Sequence, residues 1–147
     1  MNFKKLIYIL IMCTTLIACD KMPANGDLDG MWQLVEITHD GTIRNVQQDQ
    51  IYMSIQLKLF MLGRKENSRE YYGYFEHKDG YIHFWQFSYA STNESESDNN
   101  FPIQEANKSL IERWGYYSLD EKFKVIQLTS NKLILENDNA RIKYIKF

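Results

Sequence analysis

Residues that carry chemistry are scarce in this chain. It has two cysteines, two prolines and three histidines among 147 residues. One cysteine, Cys13, sits within an apolar N-terminal stretch, and the other, Cys19, follows its end. No Gly-x-Ser-x-Gly, His-Glu-x-x-His or glycine-rich phosphate loop occurs, and each of those chemistries needs its residues at that spacing. Paired carboxylates fall only in polar segments that read as loops. These absences argue against an enzyme and against a bound cofactor. His77 and His83 have no cysteine or fixed carboxylate beside them. The acidic run Glu94, Glu96, Asp98 lacks the Asp-x-Asn-x-Asp-Gly loop of a calcium hand, so no metal site is expected. No run of lysine and arginine marks a nucleic-acid partner. The longest apolar run, from Leu6 to Ile17, is twelve residues, short of the roughly 20 needed to cross a bilayer.

What stands around that run is ordered. Lys4 and Lys5 precede it, and Leu16-Ile17-Ala18-Cys19 ends it. A basic start, an apolar stretch and a small residue before the cut are the parts of an export signal. The last four residues resemble the lipobox of bacterial lipoproteins, which implies cleavage before Cys19 and a lipid on its thiol. The expected organisation is a signal peptide over 1–18, a lipidated tether over 19–29 and one folded domain over 30–147. The tether is polar and broken by Pro23 and Gly26. The expected location is the cell envelope, lipid-anchored at the outer membrane on its periplasmic face or at the cell surface. Residues 1–18 take away two of the 17 basic residues and no acid, leaving 15 against 19 and a net charge of −4. With Cys13 removed and Cys19 acylated, no thiol remains for a disulfide.

Aromatic residues make up 14% of the chain and concentrate between Tyr71 and Tyr89. Long helical periodicity is missing, so the composition is β-rich. Strands are expected over 31–38, 51–61, 71–77, 81–89, 114–119, 123–128, 132–137 and 140–146, with 42–46 a weaker candidate. Over 51–61 every second residue is apolar, which puts six such side chains on one face. The other face carries Tyr52, Ser54, Gln56 and Lys58, directed to water or a polar cavity. The strands at 71–77 and 81–89 form a hairpin on Asp79-Gly80. A two-residue turn there pairs Lys78 with Tyr81, a three-residue turn pairs His77 with Tyr81, and the choice inverts the faces. Residues 63–70 and 90–100 read as loops. Pro102 opens a segment with Ile103, Ala106, Leu110 and Ile111 at helical spacing, so one helix is expected over 102–113. Eight strands on mostly short links form an antiparallel meander that can close into a barrel.

Gly30-Met31-Trp32, at the start of the first strand, resembles the Gly-x-Trp signature of lipocalins. The lipobox, the tether, the alternating strand and the aromatic hairpin extend the likeness, as do Gly115-Tyr116-Tyr117, Leu133-Ile134-Leu135 and the closing 142–147. Nearly the whole chain resembles the lipocalin-like lipoproteins abundant in Bacteroidetes. The resemblance implies an all-β fold, an eight-stranded antiparallel lipocalin-like (calycin) barrel with one short helix. It also implies that Trp32 plugs the closed end, that Gly30 lets the backbone pass beneath it, and that a basic residue near the last strand packs on the ring. Arg141 is the candidate. The second lipocalin motif, around Thr-Asp-Tyr, is absent. Arg141 and Tyr144 are three apart and lie on opposite faces of a strand, so the Arg-x-Tyr clamp of fatty-acid-binding proteins does not form.

Tyr81, His83, Trp85, Phe87 and Tyr89 alternate along one strand and share a face, which the three-residue turn extends to Phe75 and His77. The expected ligand-lining residues are Phe75, His83, Trp85, Phe87 and Tyr89, with rings for area and imidazole or hydroxyl for orientation. The same rings can instead fill a narrow barrel. Ile82 and Phe84 on the opposite face leave open which side points inward. The expected function is binding of a small apolar or aromatic molecule by a barrel held to the membrane through Cys19. The alternative is a packed barrel that serves as a protein-interaction or envelope accessory module, meeting a protein partner through 63–70 and 90–101.

Overall fold

The computed structural model describes residues 24–65, 71–90 and 100–147. Cys19 and the expected signal peptide, residues 66–70 of the segment expected as a loop, and the acidic run at Glu94, Glu96 and Asp98 lie outside the described residues, while Gly63 and Arg64 of that segment belong to a strand. One antiparallel sheet holds β1 (Gly30–His39), β2 (Thr42–Asn45), β3 (Ile51–Gln56), β4 (Leu59–Arg64) and β5 (Tyr71–Lys78). It continues through β6 (Tyr81–Ala90), β7 (Asn100–Pro102), β8 (Asp120–Leu128), β9 (Lys132–Glu136) and β10 (Ala140–Lys146). Eight of these close a barrel, because β1 pairs with β3 on one edge and with β10 on the other. The closing seam sets Trp32 opposite Lys146 and His39 opposite Ala140. The short β2 extends the edge of β1, and β7 pairs with the end of β6. A 3-10 turn (Glu105–Asn107) and α1 (Ser109–Glu112) occupy the link between β7 and β8.

Eight barrel strands are as expected, yet two of them differ in identity. Residues 51–61 are not one strand. The chain turns at Leu57-Lys58, pairing Gln56 with Leu59 and Ile55 with Phe60. A two-residue turn always pairs an odd position with an even one, so the inward face switches parity across it. Ile51, Met53 and Ile55 are buried before the turn and Phe60 and Leu62 after it, whereas Leu57 and Leu59 are 64% and 49% exposed. The run of odd apolar residues crosses the turn without following the core. Leu57 has φ +57, a left-handed conformation that costs an L-residue about 1–2 kcal/mol.

The 71–89 hairpin takes the two-residue turn, with Lys78 opposite Tyr81 and Phe75 opposite Phe84. Phe75, Ile82 and Phe84 are therefore inside, while His83 and Trp85 point outward. A bulge at Gln86 (φ +54) then shifts the register, so Tyr71 opposes Tyr89 and Phe87 turns inward. Gly73 sits opposite this bulge. A Cβ there would stand 2.5 Å from the Phe60 ring, so only glycine leaves room for it.

Residues 114–119 form no strand. Trp114, Gly115 and Tyr116 are all buried in succession, which a strand with alternating faces does not do. The link between β7 and β8 dips into the barrel instead, and Tyr116 lies across the axis. Its ring centroid is 5.2 Å from that of Phe84, 5.3 Å from Phe87, 5.8 Å from Phe123 and 6.2 Å from Phe60. Its hydroxyl donates to Met53 Sδ at 3.3 Å and lies 3.5 Å from the Tyr144 hydroxyl. Glu121, buried at the start of β8, holds the exit of the segment. Its carboxylate accepts the N–H groups of Tyr117 and Ser118 and the side chain of Asn137.

Two outcomes test this packing. Phe84→Ala is expected to cost about 3–5 kcal/mol and its neighbour Trp85→Ala about 1 kcal/mol or less, measured by denaturant unfolding; similar losses would contradict the register. Burial pushes the Tyr116 and Tyr144 hydroxyls well above the usual tyrosine range. Their folded pKa exceeds the unfolded value of about 10, so this stabilisation is complete below pH 10 and is lost as pH rises beyond it. In an alkaline absorbance titration, exposed tyrosines are expected to ionise first and these two only together with unfolding.

Candidate functional site

The closed end is built around Trp32, whose indole Nε1 donates to the carbonyl of Leu28 at 2.8 Å. Leu28 ends a 3-10 turn (Gly26–Leu28) that lies under the barrel. The ammonium of Lys146 sits 4.2 Å from the Trp32 ring centroid and donates to the carbonyls of Asp27, at 2.8 Å, and Asp29. Burial lowers the Lys146 pKa, with Asp27 and Asp29 opposing the shift. Gly30 has φ +116, and the Lys146 stem passes 3.1 Å from where its Cβ would be. The cation on the tryptophan is thus Lys146 rather than Arg141. Arg141 pairs with Glu136 across β9 and β10 on the outer surface. Trp32 is fully buried, and Gly30 lies directly against the Lys146 stem.

The hairpin residues expected to line one cavity are divided by the barrel wall. Phe75 and Phe87 are buried in the core, and Tyr89 packs against it. His83 and Trp85 belong to the outer surface. There Trp85 stacks on Tyr74 at 6.3 Å and lies 4.8 Å from the His83 ring, and His83 Nε2 meets Asp120 Oδ1 at 2.7 Å. His77 and His83 pair with residues of opposite parity, so they face opposite sides of the sheet and do not converge on a metal. A shallow hollow of about 730 Å³ adjoins Trp85 at the bulge, bordered by Gln86, Ser88, Leu119 and Asp120. Its lining mixes polar and apolar groups.

A more apolar site lies on the outside of β1, β3 and β4. Trp32, Met53 and Leu62 point into the core, so their neighbours Met31, Gln33, Tyr52, Ser54, Met61 and Gly63 face out. Phe147, held beside Met31 by a 2.9 Å backbone hydrogen bond, leans edge-on against Tyr52 at 5.2 Å. Together they form a groove of about 580 Å³, with Gln50, Arg64 and Lys65 at one end. Ser54 and Gly63 keep its floor low, and Met31, Tyr52, Met61 and Phe147 are its walls. Among the described residues neither Arg64 nor Lys65 forms an ion pair. The arrangement is an apolar trough with cations at one end, suited to a partly apolar molecule bearing an acidic group. Among the described residues that line it, there is no base poised on a nucleophile.

Tyr52 and Ser54 were legible as the non-core face of an alternating strand. Met31 and Gln33 flank Trp32, so the Gly-x-Trp signature could have placed them outside as well. Met61, Gly63 and Arg64 were hidden by the unseen turn at Leu57-Lys58, and nothing local announced Phe147.

Comparison with known proteins bears on the fold. A solved lipocalin-like protein from Bacteroides uniformis ATCC 8492 superposes with a TM-score of 0.59 at 23% identity, over 83% of this chain and 100% of that one. An uncharacterized protein from Bacteroides eggerthii DSM 20697 does so with a TM-score of 0.55 at 23% identity, over 82% and 99% of the two chains. No curated protein sequence matches the chain. The family model described as a lipocalin-like domain matches residues 11–147, and with the closed eight-stranded barrel, the chain belongs to the lipocalin-like domain family.

Proposed function

We propose that this protein is an envelope lipoprotein, acylated at Cys19, that binds a small, partly apolar molecule in the groove on the outside of its barrel. The observation that carries this reading is the groove itself. At about 580 Å³ it falls within the roughly 300–1,000 Å³ of small-molecule sites, whereas Tyr116 and the rings around it take up the axis. Arg64 and Lys65 favour a ligand with an acidic group. A binding role rather than a catalytic one accords with the lipocalin-like fold. A second reading is favoured by the outer surface of β5 and β6. Tyr74 is 45% exposed and stacked with Trp85, and aromatic rings presented to solvent beside a hollow of mixed polar and apolar lining suit a protein partner.

The anchor is tested by fractionation. Cys19→Ala is expected to move the protein from the membrane to the soluble fraction; a variant that still pelleted with membranes would sink the lipoprotein reading. The groove is tested with the anionic aromatic probe 1-anilinonaphthalene-8-sulfonate on the exported Cys19→Ala protein. One saturable site is expected, weakened at least about tenfold by Met61→Glu, or about 1.4 kcal/mol, and unchanged by Trp85→Ala. The reverse pattern would move the site to the β5–β6 face. Native mass spectrometry of protein purified from the host envelope is expected to show a small-molecule adduct that Met61→Glu removes.

A further inference from the structure

We propose that the end of the barrel from which the tether leaves is a membrane-contact face, with Leu57 and Leu59 entering the lipid interface. The inference rests on the acylation of Cys19 proposed above. Eight large apolar side chains are exposed among the described residues, and only Ile43 lies at the opposite end of the barrel. Leu57 occupies the β3–β4 turn and Leu59 the first position of β4. Met31 and Phe147 stand beside them, near the start of β1 and just past β10. Tyr74 lies opposite Leu59 in the register, and Tyr81 and Ile126 complete the same end. Among the described residues the opposite rim, at Asp40, Arg44, Asp138 and Asn139, exposes one large apolar side chain, Ile43.

Leu57 is also in the wrong conformation for a leucine. Its φ of +57 suits glycine or asparagine, and at 64% exposure it gains little from packing in return. The two-residue turn needs the positive φ there but not a leucine, so an exposed leucine in that place points to a use outside the fold. The path of the chain supplies that use. Asn25 donates from Nδ2 to the Leu57 carbonyl at 2.9 Å, and it is braced by Asp29 through its backbone N–H at 3.0 Å. The end of the tether is therefore tied to the hairpin tip. Asn25 lies only six positions after Cys19, a reach of at most about 22 Å even when fully extended. A lipid on Cys19 would hold Leu57, Leu59 and their neighbours against the bilayer surface, with Lys58 reaching toward the headgroups. The partner is lipid, met by apolar contact; the net −4 of the mature chain gives no general attraction to anionic surfaces.

The test uses the acylated protein in phosphatidylcholine vesicles doped with nitroxide lipid. Cys13 leaves with the signal and Cys19 is acylated, so a cysteine introduced into the mature chain is its one free thiol. Leu57→Cys and Ile43→Cys are each labelled with an environment-sensitive fluorophore, and Leu59→Cys serves should the first not fold. The label at 57 or 59 is expected to be quenched several-fold more than the label at 43, with blue-shifted emission. Equal quenching at both ends, or none at 57 and 59 in protein of acylated mass, would overturn the contact face alone. A mass without the acyl chains would overturn the anchor and the contact face together.

Discussion

Tyr116 across the barrel axis is the constraint from which the rest of the structure follows. Its ring touches aromatic rings from β4, β6 and β8, so it joins walls that an empty lumen would leave apart. A fully buried tyrosine removes about 150–250 Å² from water, or about 4–6 kcal/mol at the usual area coefficient, an upper estimate. The hydroxyl at its tip finds Met53 and Tyr144, which limits the cost of burying it. To deliver this ring, the link between β7 and β8 leaves the sheet and runs inward. Glu121 then fixes its return with two backbone N–H groups.

The fold was legible because two signals are nearly independent of register: Gly-x-Trp at the start and short-linked alternating strands after it. The last strand, 140–146, is read with its true bounds, since Asp138-Asn139 marks its start and alternation persists throughout. Identity of strands was harder. The alternation over 51–61 is real, but it continues through a turn whose first residue is a leucine rather than a glycine or asparagine, and no turn chemistry betrays it. Trp114 to Leu119 has strand composition, yet its burial comes from insertion along the axis, and composition cannot separate a ring on a sheet from a ring inside one.

The same limit explains the division of the expected site. Phe75, His83, Trp85, Phe87 and Tyr89 share parity, so one face was expected to carry them all. Parity survives only while the ladder is regular, and the bulge at Gln86 breaks it. Phe87 and Tyr89 thereby reach the core from the same strand that sends Trp85 outward. The clasp on Trp32 has a comparable lesson. A cation near the last strand was expected, and Arg141 is chemically suitable, but it lies at the wrong end of β10. Lys146, at the other end of β10, reaches under the barrel, where its stem also explains the glycine at position 30.

The seam between β1 and β10 carries a consequence for how the chain reaches this state. Most other pairings in the barrel join strands that are neighbours or near-neighbours in sequence. The seam and its clasp join Lys146 to Asp27 across 119 residues. Loop closure over that span is an entropic cost that local hairpins do not bear. Until β10 is in place, both β1 and the far strand expose unpaired backbone edges, which are templates for pairing with other chains. Before the seam shuts the protein is therefore an open sheet with two adhesive edges, and that interval is when it most needs to be kept apart from its own copies.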